Sequence, residues 1–352
     1  MRLVPRSLWA RVALLLLFVL AVFVLLEWRG PEWNLVRHAF DLVNWAWIAC
    51  ALVLNLASVL MRSLAWRLTI DQALDPPLPR FDRVFSAFSI GLLANAVLPG
   101  RIGELARVAV LRRHVGRGRG ATGALVGTVF AHRLFDLFPA LLLVGYVLAT
   151  AKIPSWAATS ILLVSAIGIF LFALAVVIAQ ARQKPVPDAT RTVRRLLVMA
   201  QQGLAVLRSP LPALGAIVFQ CAGWLLQLAA VYVAMRAFGI HAPLPAAALV
   251  LLLMNVATIF PLWPGNIGLL QAAVALPLVQ YGVAYSTGFA LGLVLQVIEM
   301  SVGIGVGLVA LAREGLSLAT LRELPPEEAE ESIEEPEERP PVERRARAGV
   351  SG

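Results

Sequence analysis

Asn95-Ala96-Val97-Leu98-Pro99-Gly100-Arg101-Ile102-Gly103-Glu104-Leu105-Ala106-Arg107 is the stretch on which the architecture turns. It closes a short apolar run, 84–98, that has basic sequence on both sides: four Arg in 62–83 and six in 101–119. Lys and Arg mark the cytoplasmic loops of a membrane protein, so both ends of this run belong on one side. Pro99 lacks an amide donor and Gly100 is conformationally free, so a helix breaks there. A segment that enters from the cytoplasm and turns back satisfies both facts.

The rest of the chain supplies the membrane. Of its 352 residues 59% are hydrophobic and 14% charged, with a mean hydropathy of +0.80. Soluble domains sit near ~45–50% apolar and ~25% charged. This much apolar surface needs lipid as its solvent, where only helices and closed barrels satisfy every backbone polar group. The runs 12–26, 42–61, 121–150, 157–179, 211–235 and 287–312 have the length of helical spans rather than of short alternating barrel strands. The first follows Arg2, Arg6 and Arg11 with no small-residue cleavage site after it, and reads as a retained span. The loops 62–83, 101–119 and 182–208 are positive and read as cytoplasmic; 27–41, 151–156 and the turn near His241 read as external.

A second interrupted segment, 246–281, is broken at Pro261 and Pro264-Gly265 and enters from the outside. Its Pro264-Gly265-Asn266-Ile267-Gly268 echoes Pro99-Gly100-Arg101-Ile102-Gly103. The expected fold is therefore an all-α polytopic membrane protein of about six full spans plus two broken re-entrant hairpins, an inverted 3+3 repeat. Paired Gly/Pro-interrupted segments point to a transporter's substrate site. The membrane domain is expected over 1–312. Residues 313–352 form a tail rich in Glu, Pro and Arg that cannot bury enough surface to fold. Both termini are expected in the cytoplasm of a multi-pass protein of the cytoplasmic (inner) membrane.

Chemistry has few candidates. Cys50 and Cys221 lie in apolar runs with no metal-type spacing, the four His make no cluster, and no Walker loop, GxSxG or dinucleotide fingerprint is present. No metal, cofactor or nucleic-acid partner is expected. The net charge is +9, and only Lys152 and Lys184 are lysines. The arginines serve either as orientation charges or as planar forks for phospholipid phosphate. On a helix restarting at Gly100, Glu104 pairs at i,i+3 with Arg101 or Arg107, and the positive helix end faces the break. Arg133 and Asp136, also i,i+3, sit with His132 inside a span, where ionisable residues face a partner or a cavity. Glu299 follows Pro264 as Arg133 follows Pro99, so the two are expected to approach near the repeat axis. The second break adds Gln271, and Gln220 and Gln227 read as helix–helix hydrogen bonds.

Asn95, Pro99-Gly100-Arg101, Gly103-Glu104 and Arg107, with buried Arg133 and Asp136 and the late Pro264-Gly265…Gly268, resemble the lysylphosphatidylglycerol synthase transmembrane-region family of flippase-like membrane proteins. The resemblance covers residues of about 10–312. It implies a domain that moves a phosphate-containing lipid, an anionic phospholipid or a polyprenyl-linked lipid, between leaflets. In the namesake proteins a cytosolic synthetase domain accompanies it. Here only the acidic tail follows Ala312, so lysyl transfer by this chain is not expected. Two residues depart from the pattern: His132 stands where an acid is expected, and Gln271 where Glu is expected. The expected mechanism places a headgroup phosphate on Arg101, Arg107 and Arg133, with Glu104, Asp136 and Glu299 balancing charge. Asn95, Pro99, Gly100, Gly103, Pro264, Gly265, Gly268 and Gln271 shape the breaks. The alternatives are a membrane enzyme for group transfer onto a lipid carrier, and a non-catalytic partner of a separate glycosyltransferase or synthetase.

Overall fold

Trp45–Ala73 and Pro210–Ala237, 29 and 28 residues long, form the most extensive helix pair among the described residues. In a lipid solvent helices associate by close approach rather than by hiding apolar surface, so small residues mark the contact. A Cβ on Gly223 would lie 3.3 Å from the Ser58 carbonyl and 2.9 Å from Arg62 Cγ, and one on Gly215 3.0 Å from Leu68. Asn44 ties the ends: its side chain accepts from Ala46 N–H at 3.1 Å, capping one helix. Its own N–H donates to the Ala237 carbonyl at 2.9 Å, at the end of the other. The two helices therefore run antiparallel.

The computed structural model describes residues 32–98, 102–115, 121–180, 206, 209–259 and 266–317; these are helices and turns with no strand. In chain order they are α1 (Trp33–Asp41), α2 (Trp45–Ala73), α3 (Phe81–Val97), α4 (Gly103–Arg112), α5 (Ala121–Phe135), α6 (Leu137–Thr150), α7 (Ser155–Gln180), α8 (Pro210–Ala237), α9 (Leu244–Ile259), α10 (Leu269–Val279) and α11 (Tyr285–Arg313). Among the described residues five stretches are long and apolar enough to cross a membrane: Trp45–Ala73, Ala121–Thr150, Ser155–Leu174, Pro210–Ala237 and Tyr285–Arg313. The chain is a multi-pass, all-helical membrane protein. The expected first span at 12–26, the break residues Pro99, Gly100, Arg101, Pro261, Pro264 and Gly265, and the tail beyond 317 lie outside the described residues.

Several boundaries differ from expectation. The loop 62–83 is largely helix, because α2 continues to Ala73 with Trp66, Thr69 and Ile70 buried. The stretch expected to be an external loop, 27–41, holds α1, whose Val36 and Ala39 are buried and whose Trp33 meets Phe289 edge-on at 5.9 Å. At the other end, helix runs through Arg313, and the Glu314 side chain, only 3% exposed, belongs to the folded part.

Both interrupted segments return to the end from which they came. Arg83 at the start of α3 reaches Glu314 at 3.1 Å, and His114, just past α4, reaches its other oxygen at 3.2 Å. Both arms of this hairpin are thus tied to Glu314, the first residue after α11. The second hairpin, α9 and α10, hangs from the opposite end, where α8 finishes and α11 begins, and where Tyr281 accepts from Lys152 N–H at 2.8 Å.

One helix serves both hairpins. A Cβ on Gly288 or Gly292 of α11 would meet the Cα of Ala275 or Gln271 on α10 at 2.8 Å. Further along, a Cβ on Gly307 would meet the Ser89 carbonyl of α3 at 2.8 Å, and one on Gly303 the Leu92 carbonyl at 3.6 Å. Two glycine pairs at i,i+4 thus let α11 touch the backbone of α10 in its first half and of α3 in its second. Gly292→Leu is expected to force α10 away and lower stability by about 1–3 kcal/mol, read as a lower melting temperature in detergent. Gly305→Ala, where no atom lies within 4 Å of the new methyl, is expected to leave the melting temperature in place.

Candidate functional site

Pro139 decides where the site sits. It has no N–H for the carbonyl four residues back, that of Phe135, so the helical span is interrupted there. Helix α5 ends at Phe135 and α6 restarts at Leu137, leaving Asp136 in the turn at the middle of the span Ala121–Thr150. The carboxylate is sheltered, with a side-chain exposure of 15%, and it is met by four donors. Arg62 Nη2 at 3.3 Å, Trp224 Nε1 at 3.0 Å and Gln220 Nε2 donate to Oδ1; Arg133 Nη1 donates to Oδ2 at 3.4 Å. They come from α2, α8 and α5.

Arg133 extends the network by donating to Glu104 Oε1 on α4. The result is an alternating row, Glu104–Arg133–Asp136–Arg62, crossing the bundle at mid-span. Arg133 is its open member, with 47% of its side chain exposed. A single ionisable residue at that depth costs roughly 2.5–3.5 kcal/mol on insertion scales, and alternation of sign lowers the cost for each.

Arg107 stands apart. Sequence spacing set it beside Glu104, but Glu104 turns to Arg133 instead, and among the described residues no carboxylate oxygen lies within 4.0 Å of the Arg107 guanidinium. It is 4% exposed, and among the described residues its Nε and Nη2 have no hydrogen-bond partner. What holds it is aromatic. The guanidinium carbon lies 4.8 Å from the Trp66 ring and 5.6 Å from that of Phe88, within cation–π range. Trp66 is locked by its Nε1–H to Thr128 Oγ1 at 3.1 Å. His132 meets Phe88 edge-on at 5.7 Å, with a buried, unpartnered Nδ1, and Glu104 Oε2 is likewise buried and unpartnered.

The expected break residues fall as follows. Asn95 and Gly103 come together: Asn95 Oδ1 accepts from Gly103 N–H at 2.8 Å and caps α4, and a Cβ on Gly103 would collide with the Gly91 carbonyl. In the second hairpin Asn266 and Gly268 carry positive φ, 47° and 91°, as the turn into α10 requires. Gln271 accepts from Gly268 N–H at 2.6 Å and donates to Gln296 at 2.5 Å. Glu299 does not approach Arg133; it accepts from Gln227 Nε2 at 3.3 Å, while Arg133 is taken by Glu104 and Asp136.

Sequence reasoning missed Arg62, Trp66, Phe88 and Trp224. The signal was present: Asn55, Ser58, Arg62, Trp66 and Thr69 recur at spacings of three and four, one face of a helix that has not ended.

Asp136→Asn is expected to cost about 3–5 kcal/mol, because it leaves Arg62 and Arg133 facing a neutral group in a low-dielectric interior. Adding Arg62→Gln to that variant is expected to restore part of the loss; a strictly additive double-mutant cycle in thermal unfolding would refute the coupling.

Over residues 8–307 the chain matches the family model described as the lysylphosphatidylglycerol synthase TM region. No curated protein and no solved structure matches it.

Proposed function

The chain belongs to the lysylphosphatidylglycerol synthase TM region family, whose members are associated with lipid, and we propose that it binds a phosphate-bearing lipid and carries the headgroup between leaflets. Arg107 carries this reading. A buried guanidinium with two unpartnered nitrogens is costly unless an anion completes it. Its planar fork suits two phosphate oxygens. The rings of Trp66 and Phe88 hold the fork in place by dispersion and cation–π attraction, leaving its N–H groups for a ligand.

In this reading the row Glu104–Arg133–Asp136–Arg62 is the frame that keeps Arg107 and the half-exposed Arg133 at mid-bilayer. The phosphate docks on Arg107 and Arg133, joined by Arg101 from the break before α4. Glu104 and Asp136 balance the cations. The acyl or isoprenoid chains stay in lipid, so only the headgroup traverses the protein. Rocking of one half against the other exposes the site alternately, on the pattern of transporters built from two halves. The membrane is the cytoplasmic one, with the basic stretches 62–83, 101–119 and 182–208 and both termini inside. The lipid is an anionic phospholipid or a polyprenyl phosphate.

Arg107→Gln is expected to reduce leaflet exchange of a fluorescent phosphatidylglycerol in proteoliposomes by at least about tenfold, the loss of one charged hydrogen bond of ~1.5–3 kcal/mol. Arg107→Lys, a point charge without the fork, is expected to recover only part. Mass spectrometry of lipids that co-purify with the protein identifies the headgroup. A covalently altered lipid in the same vesicles would replace transport by group transfer, and equal exchange in Arg107→Gln and the unmodified protein would sink the assignment.

A further inference from the structure

Glu299 is the carboxyl that the row of ion pairs leaves over. It lies at the middle of the 29-residue α11 and among the described residues has no cation within 4.0 Å. Among the described residues its hydrogen bond is from Gln227 Nε2 to Oε1, at 3.3 Å. The helices packed on α11 bring few charges to it. On α2, Arg62 acts on Glu299 through space but is bonded to Asp136, and Arg67 and Asp71 lie further along, paired with each other at 2.6 Å. Helix α8 carries Arg236 in its last turn, besides Cys221 and Tyr232; α3 carries Asp82 and Arg83 in its first turn. Helix α1 has Arg37, His38 and Asp41, and α10 has no titratable residue. On α11 itself the other titratable groups, Tyr285 and Arg313, sit at its two ends.

Gln227 supplies the second observation. Its Oε1 is buried and receives no hydrogen bond. A carboxylate has only acceptors and cannot supply one, whereas a carboxylic acid has an O–H. With a proton on Oε2, Glu299 donates to Gln227 Oε1 while its own Oε1 accepts from Gln227 Nε2. The acid and the amide then close a reciprocal pair of hydrogen bonds. One proton satisfies the amide oxygen and removes an uncompensated charge from the interior.

We propose that Glu299 is held as a neutral carboxylic acid paired with Gln227, and that its proton is taken up and released as the headgroup moves. The coupling rests on the translocation reading above. In the step the Glu299 O–H bond breaks, the proton passes to water on the side to which the site has opened, and the carboxylate draws Arg62 from Asp136. Arg62 is placed for this exchange, since its Nε is buried and unpartnered while its Nη2 is on Asp136. Reprotonation from the opposite side restores the pair with Gln227.

Infrared spectroscopy tests the pair on the full chain in nanodiscs at neutral pH, without any transport. A carbonyl stretch of a protonated carboxylic acid is expected in the unmodified protein, lost in Glu299→Gln and shifted to higher frequency in Gln227→Leu, where the acid loses its hydrogen-bond donor. Identical acid bands in all three proteins would overturn the proposal. Coupling is read in proteoliposomes as the ratio of fluorescent phosphatidylglycerol exchange with and without an imposed proton gradient. The unmodified protein is expected to show a several-fold ratio and Glu299→Gln a ratio of one; a gradient response kept in Glu299→Gln overturns the coupling. If the unmodified protein exchanges no lipid at all, the translocation reading and its coupling fall together, and the infrared band still decides the pair.

Discussion

A carboxylate at the centre of a membrane span is tolerable only if donors surround it, and in this protein Asp136 collects four of them. Because the donors come from α2, α5 and α8, satisfying one carboxyl fixes three helices at one height. Hydrocarbon gives none of these groups an alternative partner, so the constraint acts on the whole bundle. The antiparallel pair α2–α8, brought together by small residues, puts Arg62, Gln220 and Trp224 within reach. Asp136, between α5 and α6, faces them.

Around this fixed centre the two hairpins are mounted from opposite ends, and α11 touches both. Its paired glycines allow backbone contact, so each hairpin is located by van der Waals fit along a helix rather than by a flexible loop. Glu299 lies between the two glycine pairs, at the point on α11 where the two hairpin contacts meet. A change of charge there acts on the one helix that both hairpins share.

The two arginines of α4 and α5 illustrate how surroundings assign roles to one residue type. Arg133 is bonded to carboxylates on both sides, and in the proposed reading it belongs to the frame while its exposed part joins the phosphate site. Arg107 is held by aromatic faces, which fix its position without using its N–H groups, and those groups are what a phosphate needs. Charge alone does not separate the two; their partners do.

Composition and the length of the apolar runs by themselves determined that this chain is helical and lives in lipid, because no water-soluble core can hide so apolar a sequence and, of the helix and the closed barrel that hydrocarbon allows, only the helix fits runs this long. The conflict between basic flanks and an apolar run at 84–98 was also enough to predict a returning segment there, and the i,i+3 spacing found the Arg133–Asp136 bond. Local spacing failed wherever partners compete across helices. Glu104 had an arginine one turn away and took Arg133, 29 residues on, and Glu299 took an amide rather than the arginine that the repeat suggested. Only the tertiary structure decides such choices, because a buried charge goes to whichever oppositely charged or polar group the helix packing brings to the same depth, and sequence separation carries no information about depth.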